Sequence, residues 1–339
     1  MAQIVQSSSP TRLLLGERLP LQTPLSIHMF TSYVCDFKCI YCPHGLKERE
    51  FQEMFGKQKF MSFKTFKHAI DGLQEFPEKL KMISFDGWGE PLLNPEISEM
   101  ITYAKKRDVA DRIELVTNSY SLTHEKADAI IAAGLDRIRI SIQGLSAKKY
   151  LDVSNVKIDY NKLREQLKYL YVHRKQLSVY IKIIDVALDG ESEQLFYDLF
   201  GDICDHIAVE HMVPTAEKIN YAKYKDDYYK SQQGYDSLKV EVCPYPFYMM
   251  IVEPEGDVRT CCATRHPICL GNVNNKTLYD IWNGSQLHAF WRKQLHEYGR
   301  YGIAVCMECL NPDYGLQPGD FIDDYRQQIL EKVEPYGRY

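Results

Sequence analysis

Residues 31–45 read TSYVCDFKCIYCPHG and place three cysteines, Cys35, Cys39 and Cys42, on one short loop. The loop follows an apolar run, LSIHMFTS (25–32), that reads as a β-strand. A tetrahedral structural metal takes four protein ligands, so three thiolates leave one coordination position open. An iron–sulfur cube held by three cysteines has one iron free for an exogenous molecule, and thiolates are the ligands such clusters use. A partial zinc site and three unrelated thiols are the competing readings, so the rest of the chain has to decide.

Working outward, strand-like runs recur at KMISFDG (81–87), RIELVTN (112–118), RIRISIQ (137–143), VYIKIIDVA (179–187) and HIAVEHM (206–212). Amphipathic stretches lie between them, such as SFKTFKHAIDGLQEF (62–76) and THEKADAIIAAG (123–134). The second opens on Thr123, an N-cap residue type, and closes on Gly134, a C-terminal stop. Strands alternating with helices predict a parallel α/β architecture. Six units are too few for a closed eight-stranded barrel. The expectation is a partial (β/α)6 TIM-like barrel over residues 25–215, with its chemistry at the C-terminal ends of the strands. Residues 1–24 read as a polar lead-in, 216–240 as a linker or lid, 241–318 as a small cysteine-rich unit and 319–339 as a C-terminal helix.

Charge and hydropathy exclude other classes. The formal net charge of the 339 residues is −5, with no long lysine or arginine run, so no nucleic-acid partner is expected. The longest early apolar run, LLL at 13–15, is too short for a signal peptide or a membrane span. A cytoplasmic protein is expected. Thiols stay reduced there, so ten cysteines point to metal or catalysis before disulfides.

FDGWGEPLLNP (85–95) ends the second strand and contains Gly87, Trp88, Gly89, Glu90 and Pro91. Together with the C-x3-C-x2-C loop it resembles the signature of the radical S-adenosylmethionine (SAM) superfamily, with G-W-G-E-P similar to that family's G-G-E-P motif. The resemblance implies that Cys35, Cys39 and Cys42 hold a [4Fe–4S] cluster whose open iron chelates SAM. It implies a reductant such as flavodoxin or ferredoxin, and release of a 5′-deoxyadenosyl radical that abstracts hydrogen from substrate. It also implies SAM contacts from Gly87, Trp88, Gly89 and Glu90, from Tyr41 beside the adenine, and from Asn118, Ser141 and Gln143 near the ribose. Gln143, in SIQG (141–144), stands where an acidic residue is often found. A turn or packing role remains open for Trp88, Asn118, Ser141 and Gln143.

Cys243, Gly256, Cys261 and the pair Cys306–Cys309 give C-x12-G-x4-C, a long gap, then C-x2-C. This is similar to the SPASM/twitch extension of the same superfamily, and no cysteine follows Cys309. The resemblance implies one auxiliary [4Fe–4S] cluster on Cys243, Cys261, Cys306 and Cys309. A zinc ribbon is the alternative, disfavoured by the 18-residue separation of Cys243 and Cys261, and Cys262 competes with Cys261 as ligand.

A cluster with four thiolates suits electron transfer. The layout resembles twitch-bearing aminocyclitol or sugar dehydrogenases, which implies oxidation of an alcohol on a small polar molecule. A sugar epimerase, a uronic-acid decarboxylase and a maturase of ribosomal peptides are the alternatives. Only 34 residues precede Cys35, fewer than a leader-binding domain needs. For proton or hydrogen transfer the candidates are Glu210 and His211, near the end of the sixth strand, and the spare thiol of Cys262.

Overall fold

The computed structural model describes residues 2–5, 14–57, 59–188, 190, 192–224 and 229–334. Six strands form the core: β2 (Ser26–Met29), β3 (Met82–Phe85), β4 (Ile113–Thr117), β5 (Arg137–Ile142), β6 (Ser178–Ile184) and β7 (His206–Glu210), in that order and all parallel. Each coincides with one of the six runs read from the sequence. The partial barrel is therefore the core of the fold. In β5 the pattern is clearest: Ile138, Ile140 and Ile142 are buried against the helices, while Arg137, Arg139 and Ser141 point to the other face.

The connecting helices start where short polar side chains cap them. Ser62 caps 63–71, Thr123 caps 124–132, Ser146 caps 147–154, Asp159 caps 160–173 and Ser192 caps 193–200, each accepting a backbone N–H three residues on. Each cap contributes about 1 kcal/mol. Their apolar stripes, such as Phe66, Ala69 and Ile70 or Leu163, Leu167 and Leu170, cover the outer face of the sheet. Gly134 adopts φ +86°, which ends the 124–132 helix and turns the chain into β5.

The lead-in is more ordered than its polarity suggests. Strand β1 (Gln3–Ile4) pairs in parallel with β7 at the far edge, and Leu15–Arg18 form one helical turn. At the opposite edge the sheet does not stop. Strand β8 (Met249–Val252) pairs in parallel with β2, from Ser26↔Met249 to Met29↔Val252. It then turns through Gly256 (φ +91°) into β9 (Asp257–Arg259), followed by β10 (Cys269–Asn272). The hairpin expected around Glu255–Asp257 is thus part of one ten-stranded sheet.

The helical reading of 277–295 resolves into two helices, 278–282 and 285–295, broken at Asn283–Gly284. The tail is helical over 326–333, preceded by two short turns at 318–320 and 323–325. No helix among the described residues is long and apolar enough to cross a membrane.

Candidate active site

The cysteine loop lies over the C-terminal ends of β2 and β3 and is tied down at several points. Lys38 and Ile40 N–H groups donate to the carbonyls of Ser154 and Val153, and Cys42 N–H donates to the Cys39 carbonyl at 3.0 Å. Glu90 N–H donates to the Val34 carbonyl at 2.8 Å, which joins the G-W-G-E-P stretch to the loop. Gly89 makes that approach possible. A Cβ there would lie 2.1 Å from the Ser32 carbonyl oxygen and 3.0 Å from that of Val34. Gly87, at φ +111°, lies just as tightly on the Phe30 ring. Trp88 rests on Phe55, its carbonyl is bonded to the His44 ring, and its buried indole N–H has no partner.

The other expected SAM contacts fall at the neighbouring strand ends. Glu90 is buried, and its carboxylate accepts from the Thr117 hydroxyl at 2.7 Å, Asn118 N–H at 2.8 Å and Leu92 N–H at 3.0 Å. Burial lifts this carboxyl to about 7 against those bonds. Asn118 donates to Asp36 and reaches towards the Cys35 sulfur at 3.9 Å. Tyr41 donates its hydroxyl to Gln143, and Gln143 donates to the Ser141 carbonyl, linking the cysteine loop to the end of β5. The Tyr221 hydroxyl donates to the Tyr41 carbonyl, so part of the 216–240 segment packs on this loop.

The donor set suits a cluster. Burial raises all three thiols, Cys42 to about 11, and the neighbouring Cys42 raises Cys35 and Cys39 further. Free, they are protonated; iron must displace those protons to bind thiolate. Among the described residues no group of three or more His, Cys, Asp or Glu side chains is spaced for a single metal ion. The relevant fit is to a cluster, whose sulfur donors stand farther apart.

Below the loop the barrel interior is charged, which the sequence reading caught only at Glu210. Glu210 is buried and pairs with Lys182, and its other partners are Arg139 at 3.5 Å, the Tyr180 hydroxyl at 3.2 Å and Gln232 at 2.8 Å. Burial opposes its charge, but Lys182 and Arg139 outweigh it and hold the carboxyl below its usual range. Arg139 also lies 3.5 Å from Glu114. His28 on β2 and Ser84 on β3 both bond Asp86 Oδ2 at 2.7 Å, and Asp86 Oδ1 is buried with no partner. His211 stands apart from Glu210, 3.1 Å from Asp185.

Cys243, Cys261, Cys306 and Cys309 line one small cavity. Cys262, next in the chain to Cys261, is not among the residues lining it; its charged neighbours include Asp86. Cys306 and Cys309 sit on a turn organised by Arg300, a residue the sequence reading missed. Its buried guanidinium donates to the carbonyls of Val240, Cys306 and Cys309 and pairs with Asp313. Gln294 accepts from Cys243 N–H and donates towards the Cys306 sulfur at 3.8 Å. Burial raises Cys306 to about 12 and Cys309 to about 11. Cys261 runs the other way, lowered despite burial by the His266 ring beside it. Four soft donors around one buried space, with Cys262 left out, fit a fully ligated cluster.

Residues 29–203 match the family model described as the radical SAM superfamily, and residues 243–310 match that of an iron–sulfur cluster-binding domain, SPASM. A Pyrococcus furiosus protein described as a tungsten-containing aldehyde ferredoxin oxidoreductase cofactor-modifying protein is 25% identical over 292 residues, 74% of this chain and 79% of its own. Streptococcus suis SuiB bound to S-adenosylmethionine superposes with a TM-score of 0.61 at 16% identity, over 92% of this chain and 79% of that one. BtrN in complex with AdoMet and 2-DOIA superposes with a TM-score of 0.54 at 16% identity, over 84% of this chain and 92% of that one. The chain belongs to the radical SAM superfamily and carries a SPASM-type domain, and its cofactors are SAM, a SAM-binding [4Fe–4S] cluster and auxiliary iron–sulfur chemistry.

Proposed function

We propose that this enzyme oxidises an alcohol carbon of a small polar molecule, such as a sugar, aminocyclitol or nucleoside, to a carbonyl. Cys35, Cys39 and Cys42 would hold the SAM-binding cluster, and Cys243, Cys261, Cys306 and Cys309 a single auxiliary one. When bound, these groups supply a hydrogen-abstracting 5′-deoxyadenosyl radical on one side and a one-electron acceptor on the other. The chain's own residues have three tasks: to hold a hydroxylated substrate, to keep water out, and to take the hydroxyl proton.

The observation that carries the reading is Asp86 Oδ1, a buried carboxylate oxygen with no partner inside the barrel. Leaving such an atom unpaired costs about 1–3 kcal/mol, so the site is built for a donor that arrives from outside, and a substrate hydroxyl is one. Oδ2 is held by His28 and Ser84, which fixes the carboxylate's orientation. Asp86 thus serves as the proton acceptor, a role the sequence reading had given to Glu210 or His211. Glu210, already engaged by Lys182, Arg139 and Gln232, shapes a polar wall. Gln232 reaches it from the 216–240 segment and narrows the interior, which favours a small molecule over a peptide.

The test is anaerobic turnover of reconstituted enzyme with a panel of polyols, aminocyclitols and nucleosides, scored for 5′-deoxyadenosine and for a product lacking two hydrogens. Asp86→Asn should keep SAM cleavage and lose at least 90% of the carbonyl product (tenfold, about 1.4 kcal/mol). Full product formation by Asp86→Asn would remove the proton-acceptor role. A second reading rests on Cys262, a thiol kept protonated by burial and by its neighbour Cys261. Such a thiol is a hydrogen donor of the kind an epimerase needs. Deuterium from solvent at the reacting carbon, abolished by Cys262→Ala, would favour that outcome over oxidation.

A further inference from the structure

His266 follows Cys261 by five positions and belongs to no motif read from the sequence. Its side chain is 10% exposed, and neither ring nitrogen completes an aligned hydrogen bond within the chain. Nε2 stands 3.4 Å from Glu253 Oε1, and the ring is within hydrogen-bonding reach of the Cys261 sulfur. Glu253 is itself fixed at both oxygens: the Tyr33 hydroxyl donates to Oε1 at 2.8 Å and Arg259 Nε to Oε2 at 2.7 Å. The ring is therefore held from behind, with its donors turned towards a sulfur that lines the four-cysteine cavity. On its other side lies a separate cavity of about 500 Å³, whose wall includes Tyr33, Glu253, Arg259 and His266.

A hydrogen bond to a cluster thiolate stabilises the electron-rich state more than the electron-poor one, and hydrogen bonds to sulfur are among the levers that set cluster potentials. The Cys243, Cys306 and Cys309 sulfurs receive no comparable cationic donor among the described residues; the side-chain bond on Cys306 comes from the neutral Gln294 amide. We propose that His266, positioned by Glu253, donates a hydrogen bond to the Cys261 sulfur and thereby raises the reduction potential of the auxiliary cluster relative to the SAM-binding one. His266 is a positioning residue in this scheme; it touches neither substrate nor SAM. The direction matters for the reaction, because an electron leaving a substrate radical needs an acceptor that is easier to reduce than the cluster that began the cycle. The inference rests on Cys261 being an auxiliary-cluster ligand.

The experiment is an EPR-monitored redox titration of anaerobically reconstituted full-length protein, without substrate, for wild type, His266→Leu, His266→Gln and Glu253→Gln. Iron is counted in each. His266→Leu should shift the auxiliary reduction equilibrium at least tenfold towards the oxidised form, 59 mV for one electron, and leave the SAM-binding cluster unmoved. His266→Gln keeps an N–H donor and should recover part of the shift; Glu253→Gln should move the potential the same way by less. Unchanged midpoints in protein with both clusters present would overturn the proposal alone. Loss of the auxiliary cluster from all three variants would make the pair a scaffold rather than a tuning device, and would also overturn it. Wild-type protein that holds only the SAM-binding cluster would instead bring down the four-cysteine assignment, and the inference with it.

Discussion

Gly89→Ala is the smallest change that separates the two loops on which SAM chemistry depends. The added Cβ would stand 2.1 Å from the Ser32 carbonyl oxygen, 2.6 Å from its carbon and 3.0 Å from the Val34 oxygen. All three are backbone atoms, so no side chain can rotate away. Even a tight contact of 3.0 Å to the Ser32 oxygen requires the loops to part by nearly 1 Å. That displacement stretches the 2.8 Å bond from Glu90 N–H to Val34 beyond useful range. Overpacking costs about 1–3 kcal/mol and the lost bond about 1 kcal/mol more, so stability should fall by about 2–4 kcal/mol. A 1 Å misplacement near reacting groups costs about 100-fold in rate. The assay is 5′-deoxyadenosine formation under dithionite, with iron content and urea unfolding alongside. The expected result is a drop of about 100-fold in SAM cleavage with the auxiliary cluster retained. A variant that cleaves SAM within twofold of wild type and unfolds at the same urea concentration would refute the argument that this glycine is required by close approach.

Two further outcomes follow from the charged interior and from the pair behind Cys261. Lys182→Met leaves Glu210 buried and undercompensated, which should cost about 3–5 kcal/mol; the double variant with Glu210→Gln should recover most of it, as read by urea denaturation. Glu253 is held at about 2, since its bonds to His266 and Arg259 outweigh a burial that would raise it. Its folded value lies below its unfolded one, so its contribution is complete above the unfolded value of 4.5 and is lost as pH falls from there towards 2. At about 1.4 kcal/mol per pH unit this is about 3 kcal/mol. The stability gap between wild type and Glu253→Gln should be flat above pH 5.5 and narrow steadily below 4.5; a gap that widens on acidification would contradict the ion-pair account.

What could be read directly from the chain was whatever is local. The six core strands announce themselves through short apolar runs bounded by polar turns, and the cysteine spacings are contiguous patterns on single loops. The charged interior was not legible in the same way. His28, Asp86, Glu114, Arg139, Lys182 and Glu210 come from six different strands or strand ends, and become neighbours only once parallel pairing sets Ser84 beside His28 and Tyr180 beside Arg139. One signal was present: Lys182 interrupts an otherwise apolar VYIKII, and a lysine there must find a buried partner or a cavity. Asp86 lies inside a stretch already singled out for its glycines, and was passed over because the motif drew attention to Glu90. Strand β8 escaped for another reason. Its MMIV run reads as one arm of a hairpin, and nothing in it indicates that its other edge pairs in parallel with a strand more than 200 positions earlier.

That pairing has a mechanical consequence. Backbone hydrogen bonds run without interruption from the first core strand into the ribbon that leads to Cys261, so the span between the two cysteine groups is set by a ladder of peptide groups instead of a pliant tether. Charge that hops across this gap meets the same length on every cycle. Loops above the strands can then vary in shape, and so in what they admit, while the wiring underneath stays at constant reach.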